Sequence, residues 1–139
     1  MWVIFEGLDK SGKGTLEREF LKVTNFKHIV IDRGPAGYAT FDILFQRVTT
    51  AGKSGYAKNV ADMKRSKNFV VVYCKAPADV ALKRIKEHGE TCPYDYVFAQ
   101  KIYNDAIELL YKDSGIKVIE VDTTKSVNKC INLILGGLK

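Results

Sequence analysis

Apolar residues gather in this chain in two ways, as short unbroken runs and as stripes at helical spacing, and the two alternate from end to end. "WVIF" (2–5) is a short apolar run ending at Gly7, the pattern of a strand buried on both faces. From Lys13 the spacing turns helical, with Leu16, Phe20 and Val23 on one stripe. "HIVID" (28–32) predicts a second buried strand, stopped by "RGPAG". Tyr38, Phe41, Phe45 and Val48 form the next helical stripe, with Phe45 assigned to the core. "TAGKSG" (50–55) should break that helix, and a shorter polar helix is expected over 56–66.

"FVVVYC" (69–74) is the strongest strand signal. "APADVALKRIKEH" follows as a helix with Pro77 near its first turn, where a missing N–H costs little. After the turn "GETCP", Phe98, Ile102, Ala106 and Leu109 mark a long helix ending before Gly115. "IKVIEVD" (116–122) reads as a fourth strand, and Val127, Ile131, Ile134 and Leu138 as a closing helix. Strands alternating with helices imply a parallel sheet with right-handed crossovers. The expected fold is one α/β domain over 1–139, a three-layer sandwich on a sheet of about four strands. Strand 2–5 should be central, between 28–32 and 69–74, with 116–121 outside 69–74.

The bulk numbers narrow the class. The chain has 139 residues, 46% hydrophobic and 27% charged, which suits one soluble core. No apolar run approaches the roughly 20 residues of a membrane span, and "MWVIFEG" lacks the basic region and cleavage site of a signal peptide. A cytoplasmic protein is expected. Cys74, Cys92 and Cys130 are far apart, with no C-x-x-C spacing, so disulfide and zinc readings are weak and Cys74 is a core residue. The formal charge of +6 favours anionic partners, nucleotide or nucleic acid.

One segment carries chemistry. In "GLDKSGKGT", Gly7 and Gly12-Lys13 satisfy G-x-x-x-x-G-K, with Gly14 in the usual Ser/Thr place and Thr15 after it. Glycines let consecutive backbone N–H groups converge on one concave point, a nest for phosphate oxygens. A helix beginning near Lys13 adds its positive end, and Lys13, expected to face solvent, adds a full charge. The cradle would comprise Gly7, Asp9, Lys10, Ser11, Gly12, Lys13, Gly14 and Thr15. Gly14 removes the hydroxyl that ordinarily ligates magnesium, and Thr15 only partly stands in. "GKS" (52–54) follows no strand and reads as a loop.

"FEGLDKSGKGT" resembles the P-loop of thymidylate kinases and related deoxynucleotide and deoxynucleoside kinases, its "GKGT" ending being closer to adenylate kinases. "VIDRGPAGYA" (30–39) is similar to the D-R segment of that group. "VVYCKAPADVALKRIKEHGE" (71–90) is similar to its strand, Pro-containing turn and helix leading into the lid. The resemblance implies transfer of a phosphoryl group from Mg²⁺-ATP to a deoxynucleoside monophosphate or deoxynucleoside. It implies that Lys13, Lys10, Arg33 and Arg84 act on the phosphates and that Thr15 and Asp32 serve the metal. It further implies Arg33 as clamp of the acceptor phosphate and Asp9 as partner of an acceptor sugar hydroxyl. Tyr38 and Phe41 are open between core and base stacking.

The chain departs from that group in length. "KVTNFKH" (22–28) leads straight from the first helix to "IVIDRG", so a strand with its own arginine-bearing turn is missing. The acceptor would then be held by residues 33–66, by the lid region, or by a partner subunit as in a homodimer. Two alternatives follow: a kinase acting on a nucleic-acid hydroxyl, which is less favoured, or a nucleotide-binding regulatory protein without turnover.

Overall fold

The structure, a computed structural model, describes residues 1–47 and 50–139, for 50–54 the backbone alone. Four strands form one parallel sheet: β1 (Trp2–Glu6), β2 (Ile29–Asp32), β3 (Phe69–Lys75) and β4 (Val118–Asp122), in the order β2-β1-β3-β4. That is the order expected from the sequence. The register sets Phe5 opposite both Asp32 and Val72. The carboxyl ends of β1 and β2 therefore open side by side.

Helices cover both faces. Along β1, Val3 and Phe5 point to one face, where Leu16 and Phe20 of α1 (Lys13–Val23) meet Ile131 and Ile134 of α6 (Val127–Gly137). Ile4 points to the other, beneath α2 (Pro35–Leu44), α3 (Thr50–Ser66), α4 (Ala78–Glu87) and α5 (Tyr96–Ala106). Strand alternation thus feeds two separate cores from one five-residue segment. Among the described residues no helix is long and apolar enough to cross a membrane.

Glu6 shares the face of Ile4 and is wholly buried. Its carboxylate collects four donors. Gly34 N and Tyr103 Oη donate to Oε1 at 3.0 and 2.7 Å, and Gly37 N and Tyr111 Oη donate to Oε2 at 3.1 and 2.6 Å. Each phenol also accepts, Tyr103 from Gly7 N at 2.9 Å and Tyr111 from Ala36 N at 3.2 Å. One side chain therefore ties β1, the loop after it, the first turn of α2 and the α5 segment together. Gly37 is required by this closeness, since a Cβ there would stand 2.6 Å from both Glu6 Oε1 and Tyr103 Oη.

Several sequence expectations change. The segment 50–55 does not break a helix: α3 runs from Thr50, so "GKS" (52–54) is helical and not a loop. The preceding helix stops at Leu44, with Phe45 as its C-cap and 42% exposed instead of in the core; Val48 lies outside the described residues. β2 takes the edge place that the expected order gave it, but it is not the buried strand expected: Ile29 is 51% exposed and no residue of the strand is fully buried. The stripe expected for α5 is rotated. Phe98 and Leu109 are exposed, and the buried face is Tyr96, Ala99, Tyr103, Ile107 and Tyr111. The buried tyrosines outweigh the aliphatic spacing because their hydroxyls reach Glu6 and the loop. The helix continues past Ala106 as a π-helical turn, Ile107–Lys112.

The Glu6 cluster gives a stability prediction. Tyr111→Phe deletes one donor to a buried carboxylate and should cost about 1.5–3 kcal/mol in urea unfolding. Glu6→Gln should cost more, because its NH₂ would face donors. Burial first, then the charge of Glu6, pushes Tyr103 and Tyr111 above the usual phenol value. The unfolded phenols lose their protons first as pH rises past about 10, so stability should fall there.

Candidate functional site

The loop between β1 and α1 is held in shape from three directions. Lys10 and Gly12 take left-handed φ values of 59° and 86°. Ser11 N donates to Leu8 O at 3.1 Å, closing a tight turn. Gly7 N is fixed by Tyr103. From the turn after β4, Thr123 packs so near Gly12 that a Cβ there would stand 2.9 Å from Thr123 Cβ. Thr123 is itself anchored on Lys75 O by its N–H at 2.9 Å and its hydroxyl at 3.2 Å.

Arg84 fastens the two loops to each other. Its Nη1 donates to Lys10 O at 3.0 Å and to Thr123 Oγ1 at 3.3 Å, and its Nη2 to Thr123 O at 3.1 Å. This arginine is a brace across the loop, a use the sequence did not suggest. Lys10 reaches Glu90 at 3.7 Å. His88 Nδ1 lies 2.8 Å from Arg84 O.

On the α1 side of the loop lies a cavity of about 610 Å³. Lys10, Lys13, Arg18, Arg84 and Lys125 line it against a single acid, Asp9. Gly12, Gly14 and Thr15 open onto it at the start of α1, where backbone N–H groups lack intrahelical acceptors. Such a concentration of cations and free N–H groups suits an oligophosphate. Gly14 leaves room that Arg18 uses, its Nη1 lying 3.8 Å from where a Cβ would be.

Lys13 is not solvent-facing as expected. Its side chain is only 11% exposed and pairs with Asp32, at the end of β2. Glu17, one helical turn beyond Lys13, completes a tight group. Burial, then the hydrogen bond and charge of Asp32, raises Glu17 from the usual 4.5 to about 7. Burial acts to raise Asp32 too, but hydrogen bonds with Lys13 and Glu17 and the charges of Lys13 and Arg33 together hold it below its usual value. Glu17 Oε1 is buried with no partner among the described residues. Asp32, Glu17 and the Thr15 hydroxyl are oxygen donors suited to a hard divalent cation, although no group of three or more His, Cys, Asp or Glu forms a metal cluster among the described residues.

Across the loop stands a second constellation. Arg33, at φ 69°, lays its guanidinium 4.1 Å above the Phe41 ring and reaches Asp9 at 3.9 Å. Arg33 Nε is buried with no partner among the described residues. Asp9 Oδ2 accepts from Tyr94 Oη at 3.0 Å, and Asp9 O from Tyr96 Oη at 3.3 Å. Phe41, Phe45 and Tyr94 pack edge-on and stacked, with centroids 5.9–6.2 Å apart. Of the two open aromatics, Phe41 is buried beneath Arg33 and Tyr38 is exposed. The sequence reading missed Glu6, Glu17, Tyr94, Tyr96 and Thr123. Glu17 was findable, four residues beyond Lys13 on the same helix face, whereas the others meet the loop only through the tertiary fold.

Two outcomes follow. Arg84→Lys keeps the charge but loses the fork that spans Lys10 and Thr123, so it should lower unfolding free energy by about 1–3 kcal/mol; a free surface arginine would cost nothing measurable. The unfolded Glu17 carboxyl loses its proton near 4.5 while the folded one keeps it to about 7, so this group makes stability fall as pH rises through that window. Glu17→Gln should flatten that slope in urea midpoints measured from pH 4 to pH 8.

Compared with known proteins, the chain matches no family model, no curated protein and no solved structure.

Proposed function

We propose that the chain is a small P-loop phosphotransferase of the thymidylate-kinase-like group, passing the γ-phosphoryl of ATP to a deoxynucleoside monophosphate. The observation that carries this reading is the division of charge about one loop. Its α1 side gathers Lys10, Lys13, Arg18, Arg84 and Lys125 in a cavity large enough for a nucleotide, while the other side offers Arg33 beside Asp9. A polyphosphate donor suits the first side and a single phosphate the second. Phosphoryl transfer needs positioning and charge neutralisation more than covalent chemistry, which fits a site without an activated nucleophile.

In the proposed step an acceptor oxygen forms a bond to the γ-phosphorus as the bond to the β,γ-bridging oxygen breaks, and ADP leaves. Lys13 would neutralise charge on the β- and γ-phosphates, and the Lys10 side chain would swing from Glu90 to the transferring group. Asp32, with Thr15 and Glu17, would hold a Mg²⁺ ion, which when bound offsets charge on the phosphate oxygens. A monophosphate is favoured over a nucleoside hydroxyl on proton grounds. An ionised phosphate is already a nucleophile, whereas a hydroxyl needs a base. Asp9, the carboxylate beside Arg33, is engaged by that guanidinium and by the Tyr94 hydroxyl, and Glu6 is wholly buried and saturated by four donors.

A single-stranded nucleic acid is the second reading for the acceptor. It is favoured by the exposed Phe45 ring, packed against Tyr94 with Arg47 5.3 Å over its face, an aromatic-cation surface of the kind that stacks bases. An ATP-consumption screen over the four deoxynucleosides, their monophosphates and a 5′-hydroxyl oligonucleotide separates these readings. Steep loss of acceptor binding with salt marks the polyanion.

With a monophosphate acceptor, Arg33→Ala should raise the acceptor KM about ten- to a hundredfold and leave the KM for ATP nearly unchanged. Arg33→Lys should rescue poorly, because a point charge does not reproduce the planar fork. Equal loss for both substrates would assign Arg33 to the donor side and defeat this assignment.

A further inference from the structure

Gly14 stands where a Ser or Thr usually follows the loop lysine, and an arginine lies in the space it leaves. Arg18 is four residues beyond Gly14 on α1, on the same helix face. Helical side chains lean toward the N-terminus, so Arg18 reaches back along the first turn. Its Nη1 lies 3.8 Å from where a Gly14 Cβ would stand. Apart from the helix backbone and the adjoining residues, it is the only heavy atom of the described residues within 4 Å of that point. Both residues line the cavity on the α1 side of the loop.

The turn beneath Arg18 lacks acceptors. Leu16 N donates to Gly12 O at 3.3 Å, so the N–H groups of Lys13, Gly14 and Thr15 have no acceptor within the helix. Gly12, the N-cap, has no side chain to supply one. An anion at this turn meets those N–H groups together with the positive end of α1.

The cations around the cavity are not equivalent. Lys13 pairs with Asp32 and Lys10 with Glu90, while Arg84 donates to the Lys10 and Thr123 carbonyls and the Thr123 hydroxyl. Asp9, the single acid of the lining, is turned toward Arg33 and Tyr94. Glu17 and Glu19 flank Arg18 in sequence, yet Glu17 is drawn into the Lys13 and Asp32 group. Among the described residues Arg18 forms no ion pair. The arginine with a free fork therefore stands over the turn with free N–H groups. Such a fork matches phosphate oxygens two at a time.

We propose that Arg18 grips the phosphates in the loop site and that Gly14 is the residue that seats it. The guanidinium takes the flank of the first α1 turn that a Ser or Thr side chain would fill, and it closes on the same oligophosphate as the Lys13, Gly14 and Thr15 N–H groups. A Cβ alone would still fit beside it, whereas a longer side chain at Gly14 would take its place. The proposal rests on the phosphate reading of this cavity.

Calorimetric titration of tripolyphosphate and of ADP into the full chain tests it, with EDTA present so that no metal takes part. The unaltered chain is expected to bind both. Arg18→Gln should weaken both about tenfold, and Arg18→Lys should recover little, because a point charge lacks the fork. Gly14→Leu, which suits a helix better than glycine, should weaken binding to a similar extent. Combined with Arg18→Gln it should add no further loss, since both changes remove one contact. Lys117→Gln, at the opposite end of the sheet, removes the same charge and should leave binding unchanged. Full affinity in Arg18→Gln, an equal loss in Lys117→Gln, or additive losses in the double variant would overturn the role of Arg18 and leave the phosphate reading standing. A loss confined to ADP, with tripolyphosphate unaffected, would overturn it too and make Arg18 a contact of the nucleoside. Failure of the unaltered chain to bind either probe would overturn the phosphate reading and the role of Arg18 together.

Discussion

A buried carboxylate is expensive unless every lone pair is met, and Glu6 meets that condition with four donors from three elements. The rest of the molecule is arranged around this requirement. The sheet must end at Glu6 so that the side chain lies under the turn into α2. The α2 turn needs Gly34 and Gly37 so that their N–H groups come close. The α5 segment supplies two tyrosines eight residues apart, Tyr103 in α5 and Tyr111 within the π-helical turn that follows it. The same tyrosines accept from Gly7 and Ala36, so the loop and the α2 turn are set by a single polar centre. Satisfied networks of this kind rigidify what they join.

Rigidity there lets the loop separate two kinds of charge. Lys13 is drawn to Asp32 on the α1 side, and Arg33 to Asp9 on the other. Consecutive residues at the end of β2 thus serve opposite sides of one glycine-rich loop. Arg84 secures the far edge by joining the Lys10 carbonyl to Thr123, so the loop is held at both ends before any ligand arrives. Pre-set geometry of this kind lowers the ordering cost of binding.

How far the sequence disclosed this depends on the range of each interaction. Strand order and the adjacency of Lys13 and Asp32 were legible because buried parallel strands read as apolar runs and crossover rules leave few topologies. The extent of α3 was not. Gly52 and Gly55 weaken a helix locally by about 1 kcal/mol each, and tertiary contacts of Val60 and Met63 override that. The face of α5 was misjudged because Tyr103 and Tyr111 count as intermediate in any apolar pattern, and only their partner, about a hundred residues upstream, decides that they turn inward. Likewise nothing near Arg84 in sequence announces Thr123 as its acceptor.

The edge position of β2 bears most directly on the second side of the loop. Among the described residues no strand lies beyond β2, so Arg33 follows the last residue of an edge strand. Its guanidinium is unusually constrained. A non-glycine residue at φ 69° carries strain of about 1–3 kcal/mol, which persists only where its surroundings over-determine it. Here Arg33 N donates to Phe5 O at 2.9 Å, the planar group rests on Phe41, and Asp9 holds its tip. Its aliphatic stem passes over Gly37, where any Cβ would collide with Arg33 Cγ. Gly37 is also a donor to Glu6. The centre that fixes the loop therefore also fixes Arg33 on its far side, so the placement of both follows from one buried carboxylate.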